Sequence, residues 1–306
     1  MASHSDDLHP EIRGLSLCAG YGGLDLGVHI AEPGYRTVCY VERDLHAAAT
    51  IAARMEDGAL SPAPIWDDLR SFDGRPWRGR VHLLLAGYPC QPFSVAGKRR
   101  GVDDPRHLWP EVRRIIDEVR PAAVFAENVA GHLTLGFPEV AGDLRTLGYG
   151  VTAGLFSAAE VGAPHIRKRL FILANADVRG GSQSAGPDHI AGGHDTEAAV
   201  RHHEPRGEPD FDRGDGSQLV DILCGGPGDG AEADGAAGRL FAPRPSDFPA
   251  WERLLRIRPD VQPAVPRDAH GLADRLDRSR GTGNGVVSLA AALAYRTLSA
   301  DADRRG

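Results

Sequence analysis

Cysteine is scarce in this chain: four among 306 residues, at Cys18, Cys39, Cys90 and Cys224. No two form a Cys-x-x-Cys pair, so a zinc site is not expected, and a chain of this length needs no disulfide framework to fold. Cys18 and Cys39 fall on apolar segments and are expected as small buried residues. Long hydrophobic runs are also missing. No stretch approaches the roughly 20 apolar residues that cross a bilayer, so no membrane partner is expected. The opening MASHSDDLHP is polar and acidic, unlike a signal or transit peptide, and a cytoplasmic address is the resulting expectation. A hydrophobic content of 42% with 25% charged residues is that of an ordinary globular protein, long enough for one large core and a small second lobe.

A surplus of positive charge is lacking as well, since the net charge is −7. Its distribution matters more than its sum. Residues 176–240 hold thirteen acidic side chains against five basic ones, a net of −8, which leaves the remainder near +1. That remainder includes arginine-rich stretches at 98–120 and 253–280. Local basic surface governs phosphate contact. Solvated helix faces are the plain alternative, and charge alone does not choose between them.

The first 175 residues alternate short apolar strands with amphipathic helices. Strands are predicted at 12–18, 37–41, 81–86, 122–126 and 170–174, and helices at 45–55, 108–119 and 138–147. Such alternation predicts an α/β fold with a mostly parallel central sheet covered on both faces, and ligands at the carboxyl ends of its strands. From 177 to about 238 the chain turns rich in Gly, Asp, His and Ser, which predicts a loop-rich or partly disordered insert. A short helix is predicted at 248–257, with Ser246 or Asp247 as its cap. A final helix is predicted at 285–298, with Val286, Leu289, Leu293 and Leu298 as its apolar face. The domain organisation expected is thus 1–175 catalytic, 176–280 variable, and 281–306 returning to the first part.

Four stretches carry chemistry. The first is Ala19-Gly20-Tyr21-Gly22-Gly23, which follows a strand and opens a helix; glycine there lets backbone approach a bound cofactor. Nineteen residues past Gly23 stands Glu42, after the second strand, where an acid commonly holds the hydroxyls of a ribose. A tight turn without a ligand is the alternative, and the pair alone does not separate NAD from S-adenosylmethionine. The second stretch is Tyr88-Pro89-Cys90-Gln91-Pro92-Phe93-Ser94, at a strand-to-loop junction. A cysteine held beside proline there is placed to act as a thiolate nucleophile. A lone cysteine is more often buried and structural, but the rigid surroundings favour the first reading. The third is Glu127-Asn128-Val129, again at the end of an apolar strand. A glutamate entering a cleft from such a strand is expected to have a raised pKa, which suits a proton donor, although a helix cap or ion-pair partner is the commoner use. In the fourth, Gly162 to Ile172, alternation along an extended segment is expected to place His165, Arg167 and Arg169 on one side. A solvated edge strand is the alternative.

Together these stretches resemble the ordered motifs of the DNA (cytosine-5) methyltransferase family. The order matches, and so do the spacings, with 37 residues from Cys90 to Glu127 and 40 from Glu127 to Arg167. Gly283-Asn284-Gly285-Val286-Val287 resembles the family's last motif. Coverage is 12–175 and about 280–299. The resemblance implies a Rossmann-like S-adenosylmethionine-dependent methyltransferase fold with a small loop-rich target-recognition region. It implies transfer of a methyl group from S-adenosyl-L-methionine to C5 of a flipped-out cytosine in double-stranded DNA, as in bacterial or phage modification. Cys90 would add to C6 while Glu127 protonates or hydrogen-bonds N3. Asn128, Arg167 and Arg169 complete the implied catalytic set. Ala19, Gly20, Tyr21, Gly23, Glu42, Asp68, Pro89 and Asn284 would bind the cofactor, with the adjacent Asp67 as the alternative to Asp68. Gln91, Ser94, Lys98, Arg99, Arg100 and His165 would face DNA, most of them on a loop that closes over the duplex. The family usage also implies monomeric action, with a cognate restriction endonuclease as a candidate partner system.

Departures from the family pattern concern three places. Cys18 stands where the family usually has a phenylalanine against the adenine, leaving a less filled pocket. His165 replaces a usual glutamine. No counterpart of the motif before the last one is recognisable in 263–280, and only about 100 residues separate Asn175 from Gly281. A tRNA cytosine-5 methyltransferase and a non-catalytic DNA- or cofactor-binding relative are the rival readings. The Cys-Phe-Thr signature of the first is absent, and the intact Cys90, Glu127 and Arg167 argue against the second. An NAD-dependent oxidoreductase would explain the glycine turn and Glu42 but not the other motifs.

Overall fold

The computed structural model describes residues 10–89, 108–163, 165–176, 200–201 and 285–304, with single positions 249, 252 and 256. In chain order the elements are β1 (Ile12–Leu17), α1 (Gly23–Ala31), β2 (Tyr35–Val41), α2 (Leu45–Glu56), β3 (Ile65–Trp66), β4 (Leu83–Ala86), α3 (Trp109–Val119), β5 (Ala123–Val129), α4 (His132–Leu135), α5 (Phe137–Thr146), β6 (Tyr149–Ser157), β7 (Lys168–Ala176), β8 (Val200–Arg201) and α6 (Ser288–Asp303). The strands form one sheet in the order β3-β2-β1-β4-β5-β7-β6-β8. Pairs β1/β2, β1/β4, β2/β3, β4/β5 and β6/β8 are parallel, whereas β5/β7 is antiparallel. The expected mostly parallel α/β sheet is therefore present.

Strand order reverses between β1 and β4. At such a switch point the connections leave to opposite faces and open a crevice outside the carboxyl ends of the strands. The glycine turn leaves β1 there and the Tyr88-Pro89 segment leaves β4 there. Their local contact is close: Gly87 N donates to Leu17 O at 3.2 Å, and a Cβ on Gly87 would lie 3.2 Å from Cys18 O.

The apolar pattern explains how the sheet is covered. Helix α3 places Val112, Ile115, Ile116 and Val119 on one face, all fully buried, and side chains of that kind contribute about 1.5–3 kcal/mol each on burial. Arg120 ends the helix at φ 52, and its guanidinium reaches Leu147 O at 2.8 Å. Asp44 caps α2, its Oδ1 accepting from His46 N at 2.9 Å and Ala47 N at 3.0 Å. Buried in the core, Asp25 of α1 accepts from Ser16 Oγ at 2.8 Å, Thr37 Oγ1 at 2.8 Å and Tyr35 Oη at 3.3 Å. Burial pushes its carboxyl pKa up, and these hydroxyl donors oppose that rise. This cluster ties α1 to β1 and β2 immediately behind the glycine turn.

Two sequence expectations need correction. The final helix begins at Ser288, and its buried positions are Ala290, Ala291, Ala292, Ala294, Tyr295, Leu298 and Asp301. Of the expected apolar face only Leu298 is buried; Val286, Leu289 and Leu293 are half-exposed. Small residues win because α6 lies close against α1: a Cβ on Gly27 would stand 2.6 Å from Ala291 Cβ and 2.7 Å from Ser288 O. The second correction concerns 165–169. Extended structure starts only at Lys168, and Arg167 has φ 31, so the alternation expected to align His165 and Arg167 with Arg169 does not reach back through that bend. Strands β3 and β6 were not anticipated. Within the stretch expected to be loop-rich, Val200–Arg201 pair with Ala153 and Gly154. The rest of that stretch lies outside the described residues, as does most of 248–257, where positions 249, 252 and 256 are helical.

The chain divides into two compact units. The first comprises Met1–Phe156, Arg169–His203 and Val286–Gly306, and the second Ser157–Lys168 and Glu204–Gly285. Within the second, Ser157 and Glu160 form a reciprocal capping box, and Arg167 donates to Gly285 O at 2.6 Å. Among the described residues no helix is long and apolar enough to cross a membrane.

Candidate active site

The turn after β1 needs unusual backbone: Cys18, Gly20 and Gly22 have φ of 50, 56 and 71. Gly22 also has no room for a side chain, since a Cβ would meet Leu60 Cδ1 at 2.4 Å, and one on Gly23 would meet Val286 O at 2.7 Å. At Gly20 the opposite holds: a Cβ would meet no heavy atom within 4 Å, so the turn faces open space there. Glu42, just past β2, braces the turn. Its Oε2 accepts from Gly20 N at 2.7 Å and its Oε1 from Asp44 N at 2.8 Å. Burial pushes the Glu42 carboxyl pKa up, and the two backbone N–H donors work against it. From α2, Arg54 donates to Tyr21 O at 2.5 Å.

Cys18, expected as a buried residue, is partly buried and packs against the core, whereas Cys39 is buried within β2. Loss of solvation, with the Glu42 charge adding to it, pushes the Cys18 thiol up to about 12, so it stays protonated and is no nucleophile at neutral pH.

Pairing of Val41 with Trp66 sets the residues after β3 beside those after β2. Glu42 N donates to Trp66 O at 2.9 Å. Asp68 is half-buried and accepts from Arg70 N at 2.9 Å, while Asp67 is exposed. An open glycine turn with a carboxylate at the end of the second strand fits a ribose-bearing ligand: backbone can approach it, and carboxylate lone pairs remain for a diol.

The other half of the crevice is built by β4, β5 and β7. Glu127, 9% exposed, pairs with Arg169, Nε to Oε1 at 3.0 Å. The antiparallel register explains the match. Glu127 lies opposite Phe171 and Arg169 opposite Val129, so the two charges are diagonal neighbours on one face of the sheet. Of the uses expected for Glu127, the register supplies the ion pair and identifies its partner as Arg169. Asn128 points the other way and is buried. Its Nδ2 donates to Tyr88 O at 3.1 Å, and its Oδ1 accepts from Val129 N at 2.9 Å. The acid's strand is thereby fastened to the backbone leading into Pro89, which is exposed. His165 is exposed as well.

Cys90, Gln91, Ser94, Lys98, Arg99, Arg100 and Asn284 lie outside the described residues. Of the other expected site residues, the first unit gathers Ala19, Gly20, Tyr21, Gly23, Glu42, Asp68, Pro89, Glu127, Asn128 and Arg169 at the carboxyl edge of its sheet. His165 and Arg167 belong to the second unit. Arg54, Tyr88 and His132 were not anticipated. Tyr88 stands within the second stretch without a role of its own there, and His132 shows only as a polar residue five positions after Glu127.

The family profile of the C-5 cytosine-specific DNA methylases matches residues 12–189, more than half of the chain, and the chain belongs to that family. Among curated relatives, the type II methyltransferase M.NgoMIV of Neisseria gonorrhoeae is 35% identical over 168 residues, covering 54% of this chain and 52% of that protein. The type II methyltransferase M.AquIA of a Picosynechococcus species is 32% identical over 179 residues, covering 53% of this chain and 71% of that protein. For the type II methyltransferase M.NaeI of Lentzea aerocolonigenes the identity is 34% over 167 residues, with 52% of this chain and 39% of that protein covered. The chain spans about half the length of the curated relatives it matches. Among solved structures, that of Spodoptera frugiperda DNMT2 superposes with a TM-score of 0.49 at 18% identity, over 66% of this chain and 56% of that one.

Proposed function

We propose that the protein methylates C5 of cytosine in double-stranded DNA with S-adenosyl-L-methionine as donor. The carrying observation is the pair of buried Glu127 with partly buried Arg169, fastened through Asn128 to the segment that enters Pro89 and Cys90. S-adenosylmethionine, when bound, supplies an electrophilic methyl group. Glu42 would hold its ribose, the turn from Ala19 to Gly23 would bind its methionine part, and Asp68, Pro89 and Asn284 would supply further contacts.

C5 of cytosine is a poor nucleophile, and the chain's own residues change that. The Cys90 thiolate adds to C6 while Glu127 delivers a proton to N3, or a hydrogen bond in its place. The π electron pair of the C5–C6 bond then becomes available at C5, which takes the methyl group as the sulfonium S–CH3 bond breaks and a neutral thioether leaves. Loss of the C5 proton to solvent, expulsion of Cys90 as the thiolate and return of the N3 proton to Glu127 restore the ring as 5-methylcytosine. Arg169 orients Glu127, and Arg167 with its bond to Gly285 O orders the neighbouring segment. Because C5 and C6 are stacked inside a duplex, the base must be flipped out. Gln91, Ser94, Lys98, Arg99, Arg100 and His165 are proposed to face the DNA, with the cationic members at phosphates.

The test is transfer of labelled methyl groups into unmethylated genomic DNA, digested to nucleosides. Wild type is expected to yield labelled 5-methylcytosine and Cys90→Ser none. Glu127→Gln is expected to slow transfer by roughly 10²–10⁴-fold, the usual contribution of a positioned acid. Near-normal turnover in either variant sinks the mechanism, and label appearing in tRNA instead of DNA replaces the substrate.

A further inference from the structure

Directly beneath the segment that leaves β4 lies a buried polar pair to which the chemistry above gives no task. Tyr88 turns its ring inward, 4% exposed, and packs against Trp109 with ring centroids 5.3 Å apart and against the imidazole of His132 at 5.6 Å. Tyr88 Oη and His132 Nε2 stand 3.0 Å apart, in hydrogen-bonding contact. His132 opens α4 and is itself 4% exposed. Gly136 makes space for it: a Cβ there would lie 2.3 Å from His132 Cε1 and 2.6 Å from Nδ1.

Burying a phenol and an imidazole costs desolvation that two apolar side chains would avoid, so packing alone does not account for the pair. A directed bond does what an apolar contact cannot, because it fixes how far the ring is inserted and thus where the Tyr88 main chain lies. The same residue is held from its other side, since its carbonyl accepts from Asn128 Nδ2 at 3.1 Å. Pro89 follows with φ set by its ring. The main chain that precedes position 90 is therefore held at Tyr88, by both its side chain and its backbone.

We infer that Tyr88 and His132 form a positioning pair that sets the direction in which the chain delivers Cys90. This rests on the reading of Cys90 as the nucleophile. Neither residue touches substrate in the proposed reaction; both act through the backbone of Tyr88 and Pro89, from which the chain continues to Cys90. The consequence is kinetic, since misplacing a reacting atom by about 1 Å can cost about 10²-fold in rate.

The experiment uses the full chain and four variants: Tyr88→Phe, which removes only the hydroxyl; His132→Leu; the two combined; and His132→Gln, which restores a polar partner. Three quantities are measured at a temperature where each variant is folded by circular dichroism: single-turnover methyl transfer at saturating cofactor and DNA, the cofactor dissociation constant, and the rate of Cys90 alkylation by iodoacetamide, read from the modified peptide. Tyr88→Phe and His132→Leu are each expected to lower the single-turnover rate by about tenfold or more, with cofactor affinity unchanged within about twofold. The combined variant should be no slower than the worse single one, and His132→Gln should recover part of the loss. The Cys90 alkylation rate should shift in both single variants. Single variants that transfer at the wild-type rate and alkylate at the wild-type rate overturn the inference, whatever their melting temperatures. If wild type itself transfers no methyl group, the proposed function fails, and the alkylation comparison alone decides the positioning role: shifted rates uphold it and unchanged rates overturn it.

Discussion

Glu42 shows how one carboxylate serves two ends at once. It closes the glycine turn through Gly20 N and accepts from Asp44 N ahead of α2, and each carboxylate oxygen keeps a further lone pair. Glu42→Ala is therefore expected to weaken S-adenosylmethionine binding by about 10- to 100-fold, the loss of a hydrogen bond to a charged group at about 1.5–3 kcal/mol. Glu42→Gln keeps an acceptor for Gly20 N and is expected to fall between that variant and wild type. Calorimetric titration of cofactor into each protein checks this, and an unchanged dissociation constant in Glu42→Ala removes Glu42 from the site. Legibility at this scale follows the range of the interaction. Spacing after a strand marks the glycine turn, Glu42 and Glu127, because each sits at a strand end that local apolar pattern reveals. The bonds from Arg54 to Tyr21 O, from Asn128 to Tyr88 O and between Tyr88 and His132 join residues 33, 40 and 44 positions apart. Which residues meet across such distances is set by strand order and register, and no local spacing encodes those.

Element by element, the same physics decides what is readable. Helix α3 is legible because its buried face is branched and aromatic; α6 is not, because alanine carries little hydrophobic signal and its burial depends on glycine in a partner helix. β6 is buried along most of its length, yet Gly150 and Gly154 interrupt its apolar run and hide it. The contact of α1 with α6 makes a sign test available. Replacing a mid-helix glycine by alanine ordinarily stabilises by about 0.5–1 kcal/mol. Gly142→Ala in α5 is expected to do so, since its Cβ would meet nothing within 4 Å. Gly27→Ala is expected to do the reverse, by about 1–3 kcal/mol, because the Cβ would press on Ser288 O and Ala291. Urea unfolding of the two variants measures both signs, and a stabilised Gly27→Ala would show that the two helices are not in close contact.

At the scale of the whole molecule, buried ionisable groups couple folding to pH, and they do not all pull in one direction. Asp25 and Glu42 have carboxyl pKa values raised by burial, so their contribution to stability is present at low pH and is lost as pH rises through their folded values. His132 acts oppositely. Burial pushes its imidazole down to about 4 from 6.5, so between those two values the unfolded chain binds a proton that the native one refuses. Stability therefore falls on acidification through that window, by up to about 3 kcal/mol from this one group at about 1.4 kcal/mol per pKa unit. The total curve mixes all three groups, so the quantity to follow is the difference in unfolding free energy between wild type and His132→Leu from pH 7 to pH 4. Whatever that difference is at pH 7, wild type is expected to lose up to about 3 kcal/mol relative to the variant by pH 4. A difference that stays constant across the window would mean that His132 is protonated in the native protein as readily as in the unfolded chain. Such a result would contradict the burial of His132 against the ring of Tyr88.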